Sequence, residues 1–363
     1  MAKRVGVDKW LFAATMLLVL IGLVMVFSAS AMMAKERFGS PYSFVIRQAV
    51  FALIGLIVMA VLMQVDYRKY NHPNVVFPVI ATTTILLLAA FLMRDSHNTH
   101  RWIKFGGFSL QPSELAKPAI VLFLAWFLQN RMQSINDWRN TLIPAAIPSL
   151  LFIALIVKEP DLGTAMVCAG VTAMMLFLAG MQTRYLGYAM VAAAPALYFL
   201  IFRVKFRRDR IFAFMNPDAD PLGRGFHTNQ SLIAVGTGGI RGLGYMEGRQ
   251  KLFYLPEGHT DYIFANIAEE LGLIGALIVV SLFVVIAYRG IRAAVLSKDP
   301  FARFLAFGIT ATILIQAFFN ISVVIALVPT KGITLPFVSY GGTSLLIMLA
   351  TMGVLLNITR EID

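Results

Sequence analysis

The sequence predicts an all-α polytopic membrane protein with about ten transmembrane helices and one long extracytoplasmic loop. Three observations predict it. The chain has 363 residues, 58% of them hydrophobic and only 14% charged, where soluble domains carry roughly a quarter charged residues. Its mean hydropathy is strongly positive, at +0.75. Apolar stretches of the ~20 residues needed to cross a hydrocarbon layer recur from one end of the chain to the other. Too few polar residues are present to cover soluble domains, and disordered, collagen-like and coiled-coil chains are excluded by the same figures. Residues 1–363 read as a single membrane domain.

The spans follow in order. The first covers 10–32. Lys3 and Arg4 precede it and Ala29-Ser30-Ala31 resembles a signal-peptidase site, but the apolar stretch exceeds the roughly 7–15 residues of a signal core, so it reads as a retained helix. Spans at 45–64 and 73–93 come next, then 110–129, which Pro112 opens as a first-turn proline. The spans 141–157 and 162–180 are short and Pro160 separates them; 184–202 completes the first seven. The long loop covers about 203–260, and the last spans are 262–288, 302–328 and 339–358. Trp10, Trp102 and Trp138 lie at predicted ends, where amphipathic rings are favoured. An even span count puts both termini on one side; with the N-terminus inside, the short inner segments hold 13 lysines and arginines and the short outer ones 8, which favours the cytoplasm, whereas the nine more of the long loop reverse the rule if they are counted. Long segments translocate largely regardless of charge, although this one is borderline in length.

The net charge of +12 suits loops facing anionic membrane lipids. No basic run with interleaved aromatics resembles a nucleic-acid surface. The single cysteine, Cys168, allows no intrachain disulfide. The glycines of the long loop, from Gly236 to Gly248, match neither the P-loop nor the dinucleotide fingerprint. His97 and His100 have metal-like spacing, but only Asp95 stands nearby, which fits a solvated loop. The Ser339 region lacks the Gly-x-Ser-x-Gly elbow of serine hydrolases.

Ionisable groups in or beside spans are costly and are functional candidates by default. Asp261 ends the segment Leu255-Pro256-Glu257-Gly258-His259-Thr260-Asp261 at the start of the eighth span. Thr260 or Asp261 can cap that helix, whose dipole would keep Asp261 ionised, as a general base must be. Glu114 and Lys117 lie three apart in the fourth span, share a face and can pair as a structural unit. Glu269 and Glu270 in the eighth span read as structural. Arg101, beside Trp102, is either an interfacial anchor or a phosphate-holding fork. Lys331 sits in Pro329-Thr330-Lys331-Gly332, followed by the irregular Leu335–Ser344 segment, which is tolerable at membrane depth only where it is buried or lines a cavity. Carboxylates and cations together at outer ends of spans suit an amphiphilic substrate with an anionic head.

At these residues the sequence resembles the SEDS family, which includes FtsW and RodA. The resemblance covers nearly the whole chain: Gly22–Ser30, Arg101-Trp102-Ile103, Gln111–Lys117, Glu159-Pro160-Asp161-Leu162-Gly163-Thr164, Asn216-Pro217 with Asp220-Pro221 and Gly223, Gln230-Ser231, Gly238-Gly239, Leu255–Asp261 and Leu335–Ser344. The segments Lys251–Glu257 and Pro329–Gly332 are more like the FtsW branch. Phe226 stands where the family usually has tyrosine, and the cytoplasmic tails are short.

The resemblance implies a peptidoglycan glycosyltransferase of the bacterial cytoplasmic (inner) membrane that polymerises lipid II, an undecaprenyl-pyrophosphate disaccharide-pentapeptide, at the outer face. An α-linked donor and a β-1,4 product mean inversion, hence one base on the acceptor hydroxyl and positive charge on the departing pyrophosphate. Asp261 matches the family's essential aspartate and is the expected base. Substrate-binding residues are expected among Arg101, Glu114, Lys117, Arg210, Glu257, His259, Lys331 and Ser339. A divalent cation (Mg or Mn) on the pyrophosphate is left open, with no closed ligand set readable. A class B penicillin-binding protein transpeptidase and other divisome proteins are the implied partners. A lipid II flippase and an elongation-type (RodA) polymerase are the alternatives.

Overall fold

The computed structural model describes residues 6–92, 101–105, 108–220, 223, 225–252 and 254–361. Lys3, Arg4, Asp95, His97, His100, Pro221, Arg224 and Phe253 lie outside the described residues.

Every predicted span is a helix. The first three are α1 (Lys9–Phe38), α2 (Ser43–Leu62) and α3 (Pro73–Ala90). A short antiparallel hairpin of β1 (Ile103–Phe105) and β2 (Phe108–Leu110) precedes α4 (Pro112–Leu128). Then come α5 (Ile143–Lys158), α6 (Leu162–Leu178) and α7 (Thr183–Phe202). The predicted long loop instead contains α8 (Lys205–Met215) and α9 (Phe226–Gly238), after which α10 (Ile263–Leu296), α11 (Pro300–Val324) and α12 (Gly342–Thr359) complete the chain. Among the described residues, eight helices are long and apolar enough to cross a membrane and α6 is a shorter apolar one. The protein is therefore all-α and polytopic, with α8 and α9 raising the helix count to about twelve.

Local chemistry sets the boundaries. Asp8 starts α1 by accepting from the backbone N–H groups of Trp10 and Leu11, and Gly39, at φ 72°, ends it by donating to Lys35 O. Asp161 starts α6 through Thr164 N–H. Pro160, at φ +30°, turns the chain between α5 and α6 where the sequence placed a break. The last span begins at 342, not 339, because residues 339–341 form a turn pinned to other segments.

The centre of the bundle is α11, which packs on α4, α6 and α10, and α12, which packs on α2. Small residues let backbones approach in membranes: a Cβ at Gly22 of α1 would stand 2.7 Å from Phe337 O. By contrast α2 and α3 bury only 22% of their spanning windows, and α7 buries none of its own and packs chiefly on α8. Those faces are dressed for lipid. At the end that carries Asp8, Arg289 of α10 bonds the Asp8 carboxylate, and Asp8 N–H donates to Thr359 Oγ1 at 3.4 Å.

The segment after α9 repairs a broken helix. Gly272 interrupts α10 at φ 68°, ψ −166°. Around that break Leu243 N–H donates to Glu269 O and Gly244 N–H to Glu270 O, each at 3.0 Å, while Gly239 O accepts from Leu273 at 2.9 Å and Ile240 O from Ile274 at 3.2 Å. The two glutamates finish the joint. Glu269 accepts from Arg249 N–H at 2.8 Å. Glu270 accepts from Ser28 Oγ and Lys251 Nζ, both at 2.7 Å, and from Met246 N–H at 3.0 Å. Tyr245 OH reaches Val24 O, midway along α1, at 3.3 Å. The long loop thus re-enters the bundle, and the structural reading of Glu269 and Glu270 holds.

Candidate active site

The end of the bundle opposite Asp8 is roofed by two irregular segments, 254–262 and 325–341. They are stapled together: Tyr340 N–H donates to His259 O at 3.0 Å and Ser339 Oγ to Thr260 O at 2.6 Å. Gln48 of α2 holds the same turn from below, donating to Ser339 O at 3.0 Å and accepting from Gly341 N–H at 3.2 Å. Between these segments and the α8–α9 region lies a cavity of about 410 Å³, lined by Arg210, Asp220, His227, Glu257, Asp261 and Lys331 among others.

Asp261 is half-buried and opens into this cavity. It does not cap α10: the N-cap position is Tyr262, with no side-chain capping bond. Its ionisation also departs from the sequence expectation. Burial, followed by the charges of Glu257 and Asp161, pushes its carboxyl up to about 7, against the pull of Arg210 and Arg101. Loss of hydration outweighs any help from the helix end. A carboxyl poised near neutrality is well matched to general-base work.

The cations are placed unevenly. Lys331 Nζ rests against Met166 Sδ, and burial with the nearby charges of Arg210 and Arg207 lowers its affinity for a proton. Arg210 donates to Thr330 O at 3.3 Å and is likewise lowered, chiefly by burial. Lys331 and Arg210 share the cavity with Asp261 and suit an anionic group there. Arg101 faces elsewhere: its Nε donates to Glu159 O at 3.1 Å and its Nη2 to Pro160 O. With Arg207, which donates to Val157 O at 3.4 Å, it covers the carbonyl end of α5, the negative pole of that helix. Neither lines the cavity.

Glu114 and Lys117 pair at 2.8 Å, as their spacing predicts, and both are buried. They do not line the cavity. Lys117 Nζ instead donates to Gln316 Oε1 at 2.6 Å, and Gln316 Nε2 donates to Thr334 O at 2.9 Å, so the pair braces the segment that carries Lys331. His259 is buried between Phe44 and Tyr340, with ring centroids at 4.9 and 5.6 Å. Ser339 is spent on the staple, accepting from Leu335 N–H at 2.7 Å. Glu257, at φ +57°, lines the cavity and accepts from Thr260 Oγ1 at 2.9 Å. Sequence reasoning missed His227, which lines the cavity and stacks on Tyr262 at 6.0 Å, and the carboxamides Gln316 and Asn320 of α11. A signal for the last two was available: polar residues four apart in an apolar span. No group of three or more His, Cys, Asp or Glu side chains suited to a metal converges among the described residues.

Helices long and apolar enough to cross a membrane, with an acid-and-cation cavity at one end of the bundle, define a polytopic membrane protein. The chain belongs to the cell cycle protein family of FtsW, RodA and SpoVE, whose family model matches residues 8–363. It is 43% identical over 343 residues to the probable peptidoglycan glycosyltransferase FtsW of Geobacter metallireducens, covering 94% of this chain and 91% of that one. It is 41% identical over 361 residues to the stage V sporulation protein E of Bacillus subtilis, covering 99% and 98%. Among solved structures, a chain of a peptidoglycan synthase complex that coordinates polymerization and crosslinking superposes with a TM-score of 0.80 at 25% identity, covering 98% of this chain and 99% of that one. Thermus thermophilus RodA, a rod shape determining protein, shares the fold at a TM-score of 0.70 and 24% identity, covering 98% and 97%.

Proposed function

We propose that this protein is a peptidoglycan glycosyltransferase that polymerises lipid II at the outer face of the bacterial cytoplasmic membrane, in cell division. The observation that carries the reading is Asp261, a carboxyl poised near neutrality, sharing one cavity with Lys331 and Arg210. The family membership and the relatives named FtsW support the same chemistry.

In the reaction, the Asp261 carboxylate takes the proton of the acceptor sugar's 4-hydroxyl. That oxygen attacks the anomeric carbon of the donor, the bond from carbon to the pyrophosphate oxygen breaks on the opposite face, and the configuration inverts. The negative charge gathered on the departing lipid pyrophosphate falls where Lys331 and Arg210 stand. Glu114, Lys117, Ser339 and His259 act by holding the roof in shape, and Arg101 by covering the end of α5. A divalent cation, Mg or Mn, would add positive charge at the pyrophosphate; among the described residues no group of three or more His, Cys, Asp or Glu converges to hold one.

With the cavity at the outer leaflet, both chain ends fall in the cytoplasm, as the basic residues of the short loops favour. A class B penicillin-binding protein is the proposed partner, in keeping with the likeness to a synthase-complex chain. The test is purified protein with fluorescent lipid II, with and without a cognate transpeptidase. Glycan polymer that disappears with Asp261→Asn is the expected result. Lipid II transfer between vesicle leaflets without any polymer would replace this reading with the flippase one.

A further inference from the structure

Two carboxamides, Gln316 and Asn320, lie four residues apart on α11 and so share one helix face. Gln316 grips Thr334, as described above. Asn320 is 1% exposed, and its Nδ2 donates to Asp261 O at 2.8 Å and to Ile333 O at 2.6 Å. Its Oδ1 is buried without a hydrogen-bond partner. A flipped amide would set that oxygen against two carbonyl oxygens, so the paired carbonyls fix the orientation. The two tied segments also touch at the carboxylate: a Cβ on Gly332 would stand 3.0 Å from Asp261 Oδ2. One side chain therefore joins the backbone of the acid to the backbone that wraps it, while α10 gives Asp261 no capping bond.

We infer that Asn320 is a positioning residue for glycosyl transfer, fixing the backbone of Asp261 against Gly332–Ile333 and so setting where the carboxylate meets the acceptor hydroxyl. The inference rests on Asp261 acting as the base. The residue type follows from the chemistry. Two buried carbonyls must be held by one uncharged group; a primary amide has two N–H donors on one nitrogen, whereas a hydroxyl has one and an ionised carboxylate none. An ammonium or guanidinium would add a charge beside the acid and pull its titration down.

The experiment compares wild type, Asp261→Asn, Asn320→Ala and Asn320→Asp in steady-state polymerisation of fluorescent lipid II, each normalised to folded protein. Displacing reacting groups by about 1 Å costs on the order of 10²-fold. Asn320→Ala should therefore lose about that much in kcat with KM within about twofold of wild type. Asn320→Asp keeps the shape but places a second acid by Asp261, so the rise of kcat with pH should move to higher pH. If Asp261→Asn is inactive while Asn320→Ala keeps wild-type kcat, the inference falls and the base reading stands. If Asp261→Asn is active, both fall. A loss confined to KM, or one that only tracks the melting temperature, also overturns the inference. Should Asn320→Ala not fold, the isosteric Asn320→Asp, which lacks both amide donors, decides: wild-type kcat in folded Asn320→Asp overturns the inference.

Discussion

Replacing Asp261 with asparagine removes the proton acceptor and keeps the side chain's size. General-base catalysis contributes about 10²–10⁴-fold, and polymerisation should fall by that factor. Folding should not be lost, because Asp261 makes no capping bond to α10 whose absence would cost the usual ~1 kcal/mol, and the neutral amide removes the burial penalty of the ionised acid. The wild-type pH dependence is the sharper arm. With the carboxyl at about 7, roughly one-eleventh of the protein is ionised at pH 6 and ten-elevenths at pH 8. Since the ionised form is the active one, kcat/KM should rise about tenfold between those values. Glu257 is the largest charged contributor to the elevation, after burial, so Glu257→Gln should slide the rise toward lower pH. The assay is initial-rate polymerisation of fluorescent lipid II from pH 5 to 9, with folded protein measured in parallel. A flat profile across pH 6–8, a midpoint near that of a solvated carboxyl, or an active Asp261→Asn would refute the reasoning.

Other perturbations test the frame around the site. Glu270→Gln leaves the buried Lys251 ammonium without its counter-charge, and uncompensated buried charges cost about 3–5 kcal/mol, so detergent-solubilised protein should melt markedly earlier. Gly272→Ala forces φ +68° on a residue with a Cβ, and that Cβ would stand 2.3 Å from Gly242 N. Strain of about 1–3 kcal/mol plus that clash should sharply lower the yield of folded protein. Glu159 is fully buried, and burial with the charge of Asp161 pushes it up to about 8 from an ordinary 4.5. The folded state then holds a proton that the unfolded chain releases: the stability is fully present below about pH 4.5 and is lost as pH rises through 8. Glu159→Gln should flatten the fall in melting temperature between pH 5 and 9, and an unchanged slope would contradict the burial argument.

How much of this was legible before the structure differs by element. Apolar length and proline punctuation put a helix at each of the ten predicted positions, because both act locally; Pro112 and Pro160 sit where the sequence put boundaries. The helices α8 and α9 were not legible. Lys205–Met215 carries several charges, and Phe226–Gly238 ends in glycines, so neither has the apolar length of a span. The break at Gly272 was hidden as well, since glycine is common in membrane helices and the partner backbone lies some thirty residues away. At the site, the position of Asp261 beside a helix start was readable but its ionisation was not: a helix start is local, whereas burial and the charges of Glu257 and Asp161 are set by the whole fold. Arg101 showed the same limit, because nothing in its neighbours in sequence reveals that the carbonyl end of α5 will lie beneath it.

The repaired break in α10 also bears on how the chain assembles. In hydrocarbon an unmet peptide group costs several kcal/mol. The carbonyls of Glu269 and Glu270, and the N–H groups of Leu273 and Ile274, find partners in residues 239–244. Neither piece is satisfied alone, so the part of α10 around Gly272 and the re-entrant segment form one cooperative unit. During insertion α10 has two options: to pass through an unbroken helical form that later opens at Gly272, or to wait at the interface until the preceding segment arrives. Since 239–252 precedes α10 in synthesis, its backbone is already present when the break is made. Asp261 itself, two residues before α10, is fixed only later, once Asn320 of α11 and the segment around Ile333 have followed.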